Sequence, residues 1–320
     1  MLTKSLESKR TLLRAKVPAA SMAMSALAAL TLGACGSGEE ESAASEPSAA
    51  VEALSTDAAS VDLLPADIRD SGTIRVGTST DTAPFNFTSG STTTGIVPGL
   101  VESMEQVLGV DIELVPMDFP GLIPGLQAGK IDAAWTVLND LAEREQMLDF
   151  VDYMKTSSSL LVAEGNPDEL TGIDDSLCGT SVGTLRGSLY LPLLEAQAAA
   201  CEEAGAPLQV DLFDDSTSAQ VQVRSGKSSG FVGLATVIRY SASTVDDGKS
   251  FDAVEANILP GYIGIALPKG SELTAAFQSA LVKVVESGNY DEVLESYDAS
   301  SEALTADQIV VNGVGTGQLK

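Results

Sequence analysis

Two stretches of the chain, about a hundred residues apart, run through the same succession of patterns, so a fold that satisfies one copy has to satisfy the other. Gly72-Thr73-Ile74-Arg75-Val76-Gly77-Thr78 is echoed by Gly179-Thr180-Ser181-Val182-Gly183-Thr184, each a short strand pattern opened by glycine. A helix is expected after each. Leu100, Val101, Met104, Val107 and Leu108 recur at helical spacing with Gly109 as the stop, and in the second copy Ser188 is placed to cap a helix ending before Gly205. Alternating strands follow at Asp111 to Val115 and at Leu208 to Phe213. Leu122 to Ala128 then ends in Gly129-Lys130-Ile131-Asp132-Ala133, and Ser218 to Ser225 ends in Gly226-Lys227-Ser228-Ser229-Gly230. Each reads as a helix, a glycine C-cap and a buried strand. Two βαβαβ units of this kind imply two similar α/β lobes, each doubly wound.

The two glycine-lysine pairs do not make phosphate loops. Ile131 follows Lys130 where a hydroxyl is required, and Val221 stands where Gly226-Lys227-Ser228 would need its leading glycine. Beyond the second unit, Tyr262 to Leu267 reads as a strand, Leu273 to Val284 as an amphipathic helix and Tyr290 to Tyr297 as a shorter one. With no third repeat to complete, this segment is expected to return to the first lobe. The chain then crosses twice between lobes, near Leu160 to Ala163 and near Ile263 to Ala266, and such paired hinge strands permit closure around a ligand. The division expected is 61–160 with 258–300 for lobe 1 and 161–257 for lobe 2. Residues 301–320 form a less periodic tail, expected to pack loosely. Trp135 lies on a buried strand pattern and is expected in the core.

The chain's first residues fit export. Lys4, Lys9, Arg10, Arg14 and Lys16 face one acid, Glu7, and an uncharged apolar run extends from Val17 to Ala34, the shape of a signal peptide over residues 1–34. Leu32-Gly33-Ala34-Cys35 resembles a lipobox, making Cys35 the lipidation site. Residues 35–60 form the anchor and a tether rich in Gly, Ser, Glu and Ala. Outside the membrane disulfides persist, and Cys178 and Cys201 are then left as one expected pair. The chain holds 45 acids against 18 bases, a net charge of −27, which argues against nucleic acid as a partner. It has no histidine, which removes Ser/His and Cys/His nucleophile pairs and most zinc sites. No metal or cofactor is expected.

The string Asp118-Phe119-Pro120-Gly121-Leu122-Ile123-Pro124-Gly125-Leu126-Gln127-Ala128-Gly129-Lys130-Ile131-Asp132-Ala133 resembles the extracellular solute-binding proteins, family 3. Ala83-Pro84-Phe85-Asn86-Phe87, Glu143-Arg144 and Gly264-Ile265-Ala266 extend the resemblance over roughly Gly72 to Asp298. It implies a type II periplasmic-binding-protein fold and a monomeric, lipid-anchored receptor on the outer face of the bacterial membrane. Such a receptor hands a small carboxylate-bearing molecule to the permease subunits of an ABC importer. Arg144 matches the arginine that clamps the ligand carboxylate, Asn139 replaces a family Ser or Thr, and Val137 matches a position that presents its carbonyl. Gly187 and Ser188 sit where backbone amides meet an anion at a helix N-terminus. Arg186 stands beside them, directed either into the cleft or to solvent. Phe119 and Phe85 are candidate apolar walls.

Three further positions depart from the family pattern. Leu234 falls where an aspartate binds the ligand's ammonium, Ser79 where some members have an acid, and Thr82 where many have an aromatic ring. A leucine cannot neutralise an amine, so the pocket suits an anion, an organic acid or an amino acid lacking a free α-ammonium. An ordinary amino acid remains the alternative, with Asp246 and Asp247 as nearby acids. Two other functions share this fold: a dehydratase acting on cyclic acids, and a ligand-sensing module not linked to transport.

Overall fold

The computed structural model describes residues 54–89, 92–255 and 260–319. The expected signal peptide, Cys35 and most of the expected tether lie outside the described residues. The folded part begins before residue 61: Asp57 accepts a hydrogen bond from the Ser60 amide and caps a short helix, Ala58–Asp62, and Ser60 is buried against Ser279. Composition alone missed this turn because five residues are too few to display a helical period.

The first unit runs β1 (Thr73–Thr78), α1 (Ile96–Leu108), β2 (Asp111–Pro116), α2 (Leu122–Gln127) and β3 (Ala133–Ala134). A small three-stranded sheet of Asp81–Thr82, Asn86–Ser89 and Thr92–Thr94 branches from it after β1. Helix α1 exists because its apolar residues share one face: Leu100, Met104 and Val107 are fully buried, and Gly109 ends it at φ +65°, a left-handed turn that glycine adopts without a Cβ penalty.

Strand β4 (Leu148–Thr156) precedes the crossing. The second unit follows as β5 (Ser158–Ala163), β6 (Ser181–Leu185), α3 (Leu191–Glu203), β7 (Gln209–Phe213), α4 (Ser216–Arg224), β8 (Gly230–Leu234), α5 (Ala235–Thr244) and β9 (Phe251–Glu255). The chain returns through β10 (Gly261–Pro268), α6 (Leu273–Glu286) and α7 (Asn289–Glu295).

One sheet has the order β2-β1-β3-β10-β4 and the other β7-β6-β8-β5-β9. In each, three parallel strands are followed by two antiparallel ones, so the repeat seen in the sequence is a repeat of topology. The fold is α/β, two doubly wound lobes joined by two crossings. The first crossing lies at Ser157, not at Leu160 to Ala163, which is the buried middle of β5. Ile263 to Ala266 likewise lies inside the lobe 1 sheet, paired with β4. Both apolar runs are central strands. The first crossing uses the polar Thr156-Ser157-Ser158 between two of them.

The tail is not loose. Val151 and Val311 form an antiparallel bridge, Leu304, Ile309 and Leu319 are buried in the lobe 1 core, and Glu302 pairs with Arg239 of α5. Its core contacts come from single apolar residues spaced by turns, which carry no period. Trp135 is fully buried, edge-on to Tyr153 at 5.8 Å. Cys178 and Cys201 are disulfide-bonded, tying the loop before β6 to the end of α3. Among the described residues no helix is long and apolar enough to cross a membrane.

Candidate functional site

A cavity of about 30 Å³ lies between the lobes. Lobe 1 lines it with Thr82, Phe119, Val137 and Asn139; lobe 2 supplies Ser188, Tyr190, Phe231, Leu234 and others. Among the described residues no charged side chain lines it. The residues reach it because they end strands: Val137 and Asn139 follow β3, Leu234 ends β8 and Thr82 follows β1. That is the crevice beyond the carboxyl ends of the strands where open α/β sheets bind ligands.

Arg144 lies at the rim. Its Nη1 donates to the Asn139 carbonyl of lobe 1 at 2.9 Å and its Nη2 to the Gly187 carbonyl of lobe 2 at 3.0 Å. Among the described residues no carboxylate comes within salt-bridge distance of it, whereas Arg75, Arg186, Arg224 and Arg239 are ion-paired and Arg69, on the surface, donates to the Asp62 carbonyl. Burial draws its pKa down, opposed by the charges of Glu143 and Asp140, but a guanidinium keeps its proton. A half-buried cation satisfied only by two carbonyls keeps three further N–H donors for an anion.

Other expected site residues fall differently. Arg186 is exposed, its Nε donating to Asp214 Oδ1 at 2.9 Å, so its charge is spent at the surface. Phe85 is fully buried in the lobe 1 core and does not reach the cavity, because Ala83-Pro84-Phe85 turns inward against Gly95. Phe119 does wall the cavity, packing with apolar clusters of both lobes. The anion cradle at the second lobe is reduced. The amides of Arg186 and Ser188 donate to the carbonyls of Phe213 and Leu185, and Gly187 turns its carbonyl to Arg144. Ser188 does not cap α3, whose N-cap is Tyr190; its hydroxyl bonds Thr184 Oγ1 at 2.8 Å. Asp246 and Asp247 lie on an exposed turn away from the cavity, Asp246 paired with Arg224.

The hydroxyls of Thr136, Ser79 and Thr82 form a buried chain, with both links at 2.9 Å, leading to the cavity wall. One residue was missed. Asp81, beside Thr82, reaches across the cleft, its Oδ2 accepting from the Ser216 amide at the start of α4 at 2.8 Å. Burial raises its pKa, the Ser216 bond opposes this, and the charge of Asp215 adds to the rise. In the sequence its signal is an acid two residues after Ser79, the position where some family members carry one.

Two like-ordered α/β lobes, a cleft at their strand ends and an unpaired arginine reaching across it define a two-lobed ligand-binding protein of the type II periplasmic-binding-protein architecture. The pattern of the bacterial extracellular solute-binding proteins, family 3, matches residues 74–299, and the chain belongs to that family. It is 31% identical to the lysine/arginine/ornithine-binding periplasmic protein of Escherichia coli (strain K12) over 243 residues, 70% of this chain and 87% of that protein. Among solved structures it is similar to an ancestral arginine-binding protein bound to arginine (TM-score 0.64, 28% identity, 71% of this chain and 98% of that one). The ancestral amino acid-binding protein AncCDT-1, a precursor of cyclohexadienyl dehydratase, is comparably similar (TM-score 0.64, 25% identity, 72% and 97%). Family members are extracytoplasmic amino-acid-binding receptors.

Proposed function

We propose that this protein is the solute receptor of an ABC importer, anchored outside the membrane through a lipid on Cys35, and that it captures an amino-acid-like carboxylate by closing its lobes. The observation that carries the reading is Arg144: a cation without a carboxylate partner, bonded to the carbonyl of Asn139, which lines the apolar cavity, and to that of Gly187, beside the lining residue Ser188. A ligand carboxylate would take its remaining donors as a bidentate pair, and closure would remove both charges from water. At about 30 Å³ the cavity holds little more than a water, so a ligand enters only when the lobes part at Ser157 and the return crossing.

Leu234, Val237, Phe231 and Phe119 give the cavity apolar walls and no counter-charge for an ammonium, which favours an organic acid or an N-modified amino acid. One observation supports the alternative of a free amino acid. Asp81 lies beside Thr82 and bonds Ser216, both of them cavity residues, so giving up the Ser216 amide would turn its carboxylate to an ammonium. No carboxylate is among the residues that line the cavity in the described part of the chain, which gives a dehydratase no acid or base there. Thermal shift of the chain from Gly36 onward, against amino acids, their N-acetyl forms and small organic acids, separates the readings. Shifts with N-acetyl and organic acids support the anion pocket. Shifts confined to free amino acids and abolished by Asp81→Asn support the alternative.

A further inference from the structure

The family match ends at residue 299, yet residues 312–315 beyond it pack onto the segment that carries the arginine. Three consecutive tail amides donate to three carboxylates: Gly313 N to Asp152 Oδ2 at 3.0 Å, Val314 N to Asp140 Oδ2 at 3.2 Å and Gly315 N to Glu145 Oε1 at 2.7 Å. Asp140 adjoins Asn139, and Glu145 adjoins Arg144. Asn312 anchors the approach, its Oδ1 accepting from the Phe150 amide at 2.9 Å and its Nδ2 donating to Asp149 at 2.8 Å. The approach is so close that a Cβ on Gly313 would lie 2.7 Å from Asp152 Oδ2, and one on Gly315 would collide with the Glu145 carboxylate. A side chain at either point would push the carboxylate off its amide.

We infer that the C-terminal segment 309–317 is a positioning element of the ligand site, gripping both ends of the Asn139 to Glu145 loop so that Arg144 is held at the cleft mouth. This rests on the reading of Arg144 as the ligand's anchor. Asn139 supplies the carbonyl that orients the guanidinium, so a loop freed on its Asp140 and Glu145 side loses the alignment of its donors. A displacement of about 1 Å at a bidentate site is enough to lose most of its effect.

The grip is sensitive to pH. Oδ1 of Asp140 and Oδ1 of Asp152 are buried without a donor, and one proton held between them satisfies both. Burial, with a hydrogen bond that protonated Asp140 donates to Glu145, pushes Asp140 up to about 7; burial, with the charge of Asp140, pushes Asp152 up to about 8. Glu145 and Arg144 face the pair from the loop, Asp149 with Lys269 lies alongside and Tyr262 borders it from β10, while the tail segment itself carries no ionisable side chain. The Gly313 and Val314 amides act to lower both values but burial outweighs them, so the docked state binds more protons than an exposed one and docking weakens as pH rises from about 4 to about 8.

Amide hydrogen exchange on the chain from Gly36 onward, with no ligand present, tests this independently of the ligand assignment. Glu145→Ala and Gly315→Ala are expected to raise exchange about tenfold or more in residues 139–147, leaving β1 and α1 unchanged. Glu145→Gln, which keeps the acceptor, retains protection. After correction for intrinsic rates, the wild-type loop loses protection between about pH 5 and 8 and no further above that, and Asp152→Asn flattens the loss. With N-acetyl-L-arginine as a carboxylate probe, any affinity seen falls about tenfold in Glu145→Ala and recovers in Glu145→Gln. Unchanged exchange in 139–147, or a rise spread evenly over lobe 1, overturns the inference. A probe that binds Arg144→Ala as well as wild type overturns the ligand reading instead.

Discussion

Replacing Arg144 by alanine separates binding from folding. The side chain sits at the cleft rim, bonded to two backbone carbonyls and absent from every apolar cluster, so its loss opens no core cavity. A rim substitution of this kind shifts stability by about 1 kcal/mol or less, a few degrees in Tm for a chain of this size. Removing one partner of a desolvated, bidentate ion pair costs about 2–5 kcal/mol, a fall in affinity of about 30- to 5,000-fold. Arg144→Lys keeps the charge and loses the planar fork, so it falls between the two. Isothermal titration of wild type, Arg144→Lys and Arg144→Ala with the acid that gives the largest thermal shift measures these numbers, with circular dichroism as the folding check. An affinity within about threefold of wild type in a folded Arg144→Ala would refute the reasoning, because no other unpaired cation borders the cavity among the described residues.

Other outcomes follow from the same geometry. Leu234→Asp introduces a carboxylate into the apolar wall; it is expected to lower Tm through a buried charge and to raise affinity for free α-amino acids relative to their N-acetyl forms, read by titrating both. Because Asp140 and Asp152 have raised pKa values in the folded state, their contribution is full below about 4 and is lost progressively as pH rises to about 8. Asp152→Asn is therefore expected to be more stable than wild type at pH 9, by on the order of 1–3 kcal/mol, with the advantage gone near pH 4, followed by chemical denaturation across that range. Replacing Cys178 and Cys201 by serine releases a loop closed over 23 residues and is expected to cost about 3 kcal/mol without changing ligand preference.

Much of the fold was legible because it is written twice. The periodicity of α1 and the glycine stops at 109, 129 and 226 repeat between lobes, and the order of strands follows from them. The crossing was misplaced because Leu160 to Ala163 and Ile263 to Ala266 are apolar on both faces, as central strands are, and hydrophobicity cannot say which strand is the last of a lobe. In the site, Arg144, Asn139, Val137, Phe119, Ser188, Thr82 and Leu234 come together at or beside the cavity. Arg186 and Phe85 do not, one drawn off by Asp214 and the other by the core. Asp81 and the tail went unread for one reason: each acts through backbone amides, at Ser216 and at Gly313 to Gly315, and an amide leaves no mark in the sequence.

The central claim is that the lobes close on a carboxylate held by Arg144, and a matched pair of compounds tests it most directly. For each acid that stabilises the chain from Gly36 onward, thermal shift is measured with the acid and with its primary amide at equal concentration. At a hundred times Kd the acid contributes about 2.7 kcal/mol, a rise of several degrees, and the amide is predicted to give none. Equal shifts from acid and amide would mean that the ligand's charge is not what the site recognises, and the assignment of Arg144 would fall.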